Sequence, residues 1–339
     1  MTKSFNWSVV GHTKILDFLQ TNILNQTFAQ SYLFVGPKKV GKTSVAKKFS
    51  QFLICDNYSE YLKNGKVKKP FACGECSACQ MFKKGIYADY YLVERERNDK
   101  GLLKKNISIK QIRDLQSSLS KRSFQNSYKI VIIPEAEAMS LEASNSLLKF
   151  LEEPTAKTII ILISQNTNII LPTIVSRCQI LNFSPVPREN IFDYLVDQGA
   201  NRSLALELSA ISQGRITVAL KYFNHLDLYL EHKQKIQEVF KLFTSSNSEK
   251  FQMIDTLLGK SGVDSAKKVL DIFISILRDV ELLKYYNDKY ISNIFLREEM
   301  QALKDLDFNF NQKLQSAEKS KLYLEQNINP KLVFENLFI

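Results

Sequence analysis

The sequence predicts a parallel α/β phosphate-loop core, interrupted by a cysteine-rich insertion and followed by an all-helical remainder. Three observations carry that prediction. Gly36-Pro37-Lys38-Lys39-Val40-Gly41-Lys42-Thr43 fits G-x-x-x-x-G-K-[ST], with the apolar run Tyr32 to Val35 before it and a helical stretch, Ser44 to Ile54, after it. Cys55, Cys73, Cys76 and Cys79 follow in the spacing C-x17-C-x2-C-x2-C. Beyond Ser184-Pro185-Val186-Pro187 the strand signals stop and only helical periodicity continues.

Bulk properties narrow the class. A chain of 339 residues exceeds one ordinary core, so two or three domains are expected. Hydrophobic content of 45% and charged content of 24% are those of a soluble globular protein. A net charge of +11 and a pI near 9.2 point to a polyanionic partner, nucleic acid first among them. With no apolar run of 18 residues and no signal peptide at MTKSFNWSVVGHTK, the expected location is the cytoplasm and no membrane partner is expected. Five cysteines in a reducing compartment are poor disulfide material.

Val10-Gly11-His12 opens an amphipathic helix with Ile15, Phe18, Leu19 and Ile23 on its core-facing stripe. His12 reads as a packing or capping residue rather than a ligand, since His225 and His232 lie far away in sequence. In the phosphate loop, Gly36 and Gly41 let backbone N–H groups converge on phosphate oxygens, and the helix N-terminus adds its positive end. Lys42 would reach the β- and γ-phosphates of ATP or ADP, the Thr43 hydroxyl would help hold magnesium, and Ser44 completes the binding segment.

After Cys55 comes a lysine-rich loop with Lys63, Lys66, Lys68 and Lys69, then Cys73-Gly-Glu-Cys76-Ser-Ala-Cys79. Four soft thiolates suffice for a closed tetrahedral zinc site, which would be structural because no open position remains. Reduced free thiols and a redox pair are the competing readings.

Asp89 to Glu94 reads as a second strand, followed by a charged loop from Arg95 to Lys105. A helix over Lys110 to Lys121 places Ile112, Leu115 and Leu119 inward, and Lys110, Arg113, Lys121 and Arg122 outward. That basic face suits either DNA phosphates or plain solvation. Lys129 to Ile133 is a buried strand. In a phosphate-loop ATPase its end carries an Asp for magnesium and often a Glu for the attacking water. Here those positions hold Pro134 and Glu135, so efficient hydrolysis is not expected, and Glu135 could stand in only with shifted geometry.

Ser140 begins a helix that runs to Glu152-Glu153-Pro154. Thr158 to Ile163 has the continuous apolar character of a central parallel strand. At its end Ser164 is either a γ-phosphate sensor or part of a turn. Leu171 to Cys178 precedes a last strand, Gln179 to Phe183, and Cys178 is expected in the core. Arg177 stands out, because a guanidinium at a domain edge can reach a nucleotide held by a neighbour. Helical bundles follow from Arg188 to Phe223 and from Asp227 to Ile339, the second including a strong helix from Val263 to Tyr285 with Leu270, Ile274, Leu277 and Val280 apolar.

Taken together, the segments Tyr32 to Thr43, the four cysteines, Ile109 to Arg113, Asn145 to Pro154, Ser176 to Cys178 and Asn327 to Leu337 resemble the bacterial clamp-loader subunits, most closely the delta-prime branch within DNA polymerase III. The resemblance covers nearly the whole chain. It implies an AAA+ core over residues 1–183 with a zinc module at 55–79, a small helical lid over 184–226 and a helical collar over 227–339. It implies zinc on Cys55, Cys73, Cys76 and Cys79. It also implies that Arg177 acts in trans as an arginine finger on ATP held by a gamma/tau motor subunit. Its partners would be gamma/tau, delta and, through the assembly, the β sliding clamp and primed DNA.

Two departures from the motor pattern bear on activity. The strand-end aspartate is Pro134, and Thr217 stands where motor subunits carry a lid arginine, with Arg215 displaced by two. The phosphate loop is nonetheless intact. The expectation is a stator that binds nucleotide with weak or absent ATPase activity of its own. The alternatives are a gamma/tau-type motor and a stand-alone phosphate-loop kinase or repair ATPase.

Overall fold

The computed structural model describes residues 5, 7–58, 60, 72–123, 128–153, 157–258, 263–285, 288–304, 310–326 and 328–338. The lysine-rich loop (Lys63, Lys66, Lys68, Lys69), Pro154 and Asn327 lie outside the described residues. The chain divides into two compact units, Met1–Val186 and Pro187–Ile339.

The first unit is built on five strands: β1 (Ser31–Val35), β2 (Tyr90–Leu92), β3 (Lys129–Ile133), β4 (Thr158–Ser164) and β5 (Gln179–Asn182). They form one parallel sheet in the order β2-β3-β4-β1-β5, with Leu33 opposite Leu162 and Val131 opposite Ile160. Side chains alternate between faces along a strand. Thus Tyr32, Phe34, Ile130, Ile132, Ile159 and Ile161 join one core with Leu19, Ile23, Phe49 and Phe52. Leu33, Val131, Ile133, Ile160 and Leu162 join the other, with Ile112, Leu115, Leu147 and Ile174. Helices therefore cover both faces, which explains why β1, β3 and β4 are buried along their whole length and apolar through their middles. This is a parallel α/β core with the phosphate loop leaving its central region, as the sequence predicts.

Two elements differ from the sequence reading. The second strand is only Tyr90–Leu92, because only those three residues pair with β3 at the edge of the sheet. The first helix, Thr13–Asn25, buries Leu16, Leu19 and Ile23, while Phe18 is turned outward at 37% exposure. Leu16 takes the inward place because it lies three residues before Leu19 and seven before Ile23, on the same helical face. Ser108 caps the helix Ile109–Ser120 through a reciprocal capping box with Gln111. Lys110, Arg113, Lys121 and Arg122 around that helix are all exposed.

Every element of the second unit is helical among the described residues. Its core gathers Leu270, Phe273, Leu277 and Val280 of the helix Val263–Tyr285 with Ile236, Phe240, Met300 and Phe334. Asp279, wholly buried in the same helix, accepts hydrogen bonds from the Ser292 and Asn293 amides at 2.9 and 2.7 Å. It thereby fixes the segment that follows. No helix among the described residues is long and apolar enough to cross a membrane.

Candidate nucleotide and metal sites

The phosphate loop leaves the carboxyl end of β1, where parallel α/β sheets place their ligands. Gly36 has φ 147°, and a Cβ there would lie 2.1 Å from the Phe183 carbonyl oxygen, so only glycine fits. Lys39 and Gly41 also have positive φ, at 67° and 109°, and turn the loop into the helix Lys42–Ile54. Pro37, Lys38, Lys39 and Ser44 are exposed, Thr43 is half-buried and Val40 is fully buried. The Val40 carbonyl accepts from His12 Nε2 at 2.8 Å, and the His12 ring packs edge-on against Phe183. His12 thus ties the start of the first helix to the loop.

Lys42 is 7% exposed and donates to the carbonyl of Pro37 at 2.6 Å and to that of Gly36. Burial pulls its pKa down to about 8; the nearby Glu137 carboxylate opposes the shift and the Lys38 ammonium adds to it.

The end of β3 is arranged differently from an ATPase strand end. Pro134 offers no ligand atom. Glu135 is engaged on both oxygens by Arg95, with Nε to Oε2 at 2.8 Å and Nη2 to Oε1 at 3.2 Å. Glu137 follows on the turn Ala136–Ala138, and its Oε1 accepts from Gln165 Nε2 at 3.1 Å. A cavity of about 190 Å³ borders Glu137, walled by Met139, Leu141, Ser144, Ile169 and Ile170. Ser164 pairs with Val35 at the root of the loop. Its hydroxyl donates to the Asn166 carbonyl at 3.0 Å and faces the Asn166 amide at 3.4 Å, the pattern of a serine turn.

Arg177 follows the short helix Pro172–Val175 and stays at the surface, 36% exposed. Its Nη2 pairs with Glu152 Oε1 at 2.7 Å and its Nη1 donates to the Thr173 carbonyl at 3.0 Å. Cys178, beside it, is half-buried against the second core, and burial pushes its thiol up to about 12.

At the far end of the phosphate-loop helix, Cys55 forms the C-cap. Its sulfur lies 3.5 Å from that of Cys73 and 4.0 Å from that of Cys76, and all four sulfurs of Cys55, Cys73, Cys76 and Cys79 lie within 4.8 Å of one another. Tetrahedral zinc with sulfur bonds of about 2.3 Å requires sulfurs about 3.8 Å apart, so the donor set fits that metal. The main chain helps: the amides of Cys73, Cys76 and Cys79 donate to the sulfurs of Cys55, Cys73 and Cys76 at 3.3, 3.3 and 3.4 Å. The Cys79 thiol and the amides around Cys55 hold the Cys55 thiol at about 5 despite burial, while Cys79, sharing its proton with Cys55, is pushed up. The cluster can hold a metal such as zinc.

Arg95, Glu137, Glu152 and the His12–Val40 contact are absent from the motif-based reading. Arg95 and Glu135 are 40 positions apart, so no local spacing links them.

A family model described as DNA polymerase III, delta subunit, matches residues 11–187. DNA polymerase III subunit delta′ of Bacillus subtilis (strain 168) is 28% identical over 332 residues, spanning 96% of this chain and 94% of that protein. Subunit delta′ of Pseudomonas aeruginosa is 37% identical over 150 residues, 44% of this chain and 42% of that one. Subunit tau of Bacillus subtilis is 33% identical over 183 residues, 54% of this chain and 30% of tau.

Proposed function

This chain belongs to the delta-prime family of DNA polymerase III subunits, and on that premise we propose that it is the stator of a bacterial clamp loader. In that role it grips ATP or ADP with magnesium through Gly36 to Ser44 but turns it over slowly or not at all. The supporting observation is the contrast between an intact phosphate loop and a strand end where Pro134 cannot bind metal and Glu135 is held by Arg95. Phosphoryl transfer to water needs a carboxylate free to order magnesium and the nucleophile.

Arg177 is the proposed trans finger. Its surface position and its exposed ion pair with Glu152 support that role, because such a pair is worth about 0–1 kcal/mol and exchanges readily. A neighbouring triphosphate offers the planar guanidinium a stronger, bidentate partner. The partners in this reading are the gamma/tau motor subunits and delta, with the β sliding clamp and primed DNA reached through the assembly in the cytoplasm. Zinc on the four cysteines is structural. In this reading residues 1–183 serve as the AAA+ core, 184–226 as the lid and 227–339 as the collar.

The similarity to tau favours one competing reading, a motor that hydrolyses ATP itself. The test is ATP hydrolysis with primed DNA, by the isolated chain and by the reconstituted complex. The isolated chain is expected to be near inactive, and Arg177→Ala should slow the complex by about 10³-fold. Strong DNA-stimulated turnover by the isolated chain would favour the motor, and an unchanged complex rate would remove Arg177 from the mechanism.

A further inference from the structure

Two positions past β3, Glu135 and Glu137, carry an acidic group, and the structure distinguishes them. Pro134 has no ligand atom, and Glu135 gives both oxygens to Arg95. Glu137 is divided between two environments. Oε1 accepts from Gln165, the residue after Ser164 at the end of β4. Oε2 is shut off from solvent and has no hydrogen-bond donor among the described residues.

A buried acceptor without a donor is destabilising by about 1–3 kcal/mol, more when charged, so such an atom calls for a partner. The surrounding field says what sign that partner has. The carboxylate is close enough to hold up the pKa of Lys42 against burial, yet no ion pair joins the two side chains. A bare nucleotide phosphate entering beside Lys42 would meet the Glu137 charge as repulsion. A divalent cation carried with the phosphate offsets that repulsion and would give Oε2 the positive partner it lacks. Magnesium suits this, because it keeps several waters and is bound through one or two carboxylates together with substrate phosphates.

We propose that Glu137, held by Gln165, is the carboxylate through which this chain's own site selects the magnesium-bound nucleotide, in place of the strand-end residues. Gln165 is a positioning residue: it occupies one carboxylate oxygen and leaves the other for the ion. The inference rests on the reading that the phosphate loop binds nucleotide.

The experiment is equilibrium binding of a fluorescent ADP and a fluorescent ATP analogue to the full chain, each in magnesium and in EDTA. Wild type should bind about tenfold or more tightly with magnesium. Glu137→Gln should bring the two conditions within about twofold and leave the EDTA affinity unchanged or improved, because a like charge has gone. Glu137→Ala, run with a thermal unfolding check, should show the same loss, and Gln165→Leu a partial one. A magnesium gain that survives in Glu137→Gln, one lost in Glu135→Gln instead, or none in wild type would overturn the assignment. Absence of wild-type binding in both conditions would overturn the nucleotide reading itself, a different result from loss of the magnesium gain alone.

Discussion

The two ends of the helix Lys42–Ile54 hold opposite kinds of site. At its N-terminus the phosphate loop presents amide hydrogens and an ammonium, and at its C-cap Cys55 joins a cluster of thiols. The helix dipole favours anions at the first end and cations at the second. Their internal contacts differ too. In the cysteine cluster the main chain donates to the sulfurs that would carry negative charge on metal binding. In the phosphate loop Lys42 spends its hydrogens on the loop's own carbonyls, contacts that a phosphate must compete with. In the proposed reading one end keeps its ligand and the other exchanges it.

Disrupting the permanent end should have the larger effect. Cys76→Ser removes one of the four clustered thiols and the sulfur that accepts the Cys79 amide. The prediction is a fall in zinc from about one per chain toward none by elemental analysis, with a lower unfolding temperature, because structural metal binding contributes directly to folding. Nucleotide affinity should change little. Unaltered zinc content would break the contrast between the two ends.

Gly36→Ala is next in size. The added methyl group would meet the Phe183 carbonyl, a backbone atom that cannot swing away, at a φ that side-chain-bearing residues rarely adopt. A destabilisation of about 3 kcal/mol is expected in denaturant titration, together with loss of nucleotide binding. A stable Gly36→Ala chain that still binds nucleotide would show that the loop is softer than its contacts imply.

The two ends should also respond to pH with opposite signs. The folded-state pKa of Lys42 is depressed to about 8 from an ordinary 10.5. Between those values the unfolded chain binds more protons, so this group's contribution to stability rises with pH through that window. Nucleotide binding works the other way. Phosphate favours the charged ammonium, so affinity should fall above about pH 8, by at most about tenfold per unit. Metal binding to the cysteines should instead tighten as pH rises, since protons on thiols compete with the ion. Titrations with the fluorescent nucleotide and with zinc should therefore slope in opposite directions, and Lys42→Met should flatten only the first.

Much of this helix and its surroundings was legible in the sequence because its signals are local. The glycines and lysine of the loop, the cysteine spacing and the apolar period of Val263–Tyr285 each span a short stretch. Thr158 to Ile163 read as a buried strand because helices covering both faces leave no polar alternation to preserve. The chemistry at the strand end was less accessible. Pro134 announced a missing carboxylate, but nothing near Glu135 announced Arg95, because their pairing depends on how β2 and β3 lie side by side. Glu137 was hidden for the same reason: its partner Gln165 follows β4, 28 positions away. The Phe18 error was of another kind, since a helical period fixes a stripe's direction only to within about one residue and the larger ring can sit at its margin.

The smallest predicted effect concerns how the exchanging end is held in shape. His12 Nε2 lies 2.8 Å from the Val40 carbonyl, which can only accept, so Nε2 carries the hydrogen. Burial lowers the His12 pKa; the Val40 bond opposes that and the Lys42 charge adds to it, so the ring stays neutral at pH 7 with Nε2 as its donor. His12→Phe keeps an aromatic ring against Phe183 but leaves the Val40 carbonyl without this donor. The expected loss is about 1 kcal/mol in stability, with a weaker hold on nucleotide and no change in zinc content. His12→Gln, which can restore a donor without the ring, separates the two contributions. If Gln rescues nucleotide affinity and Phe does not, the hydrogen bond shapes the loop; the reverse would assign that task to ring packing on Phe183.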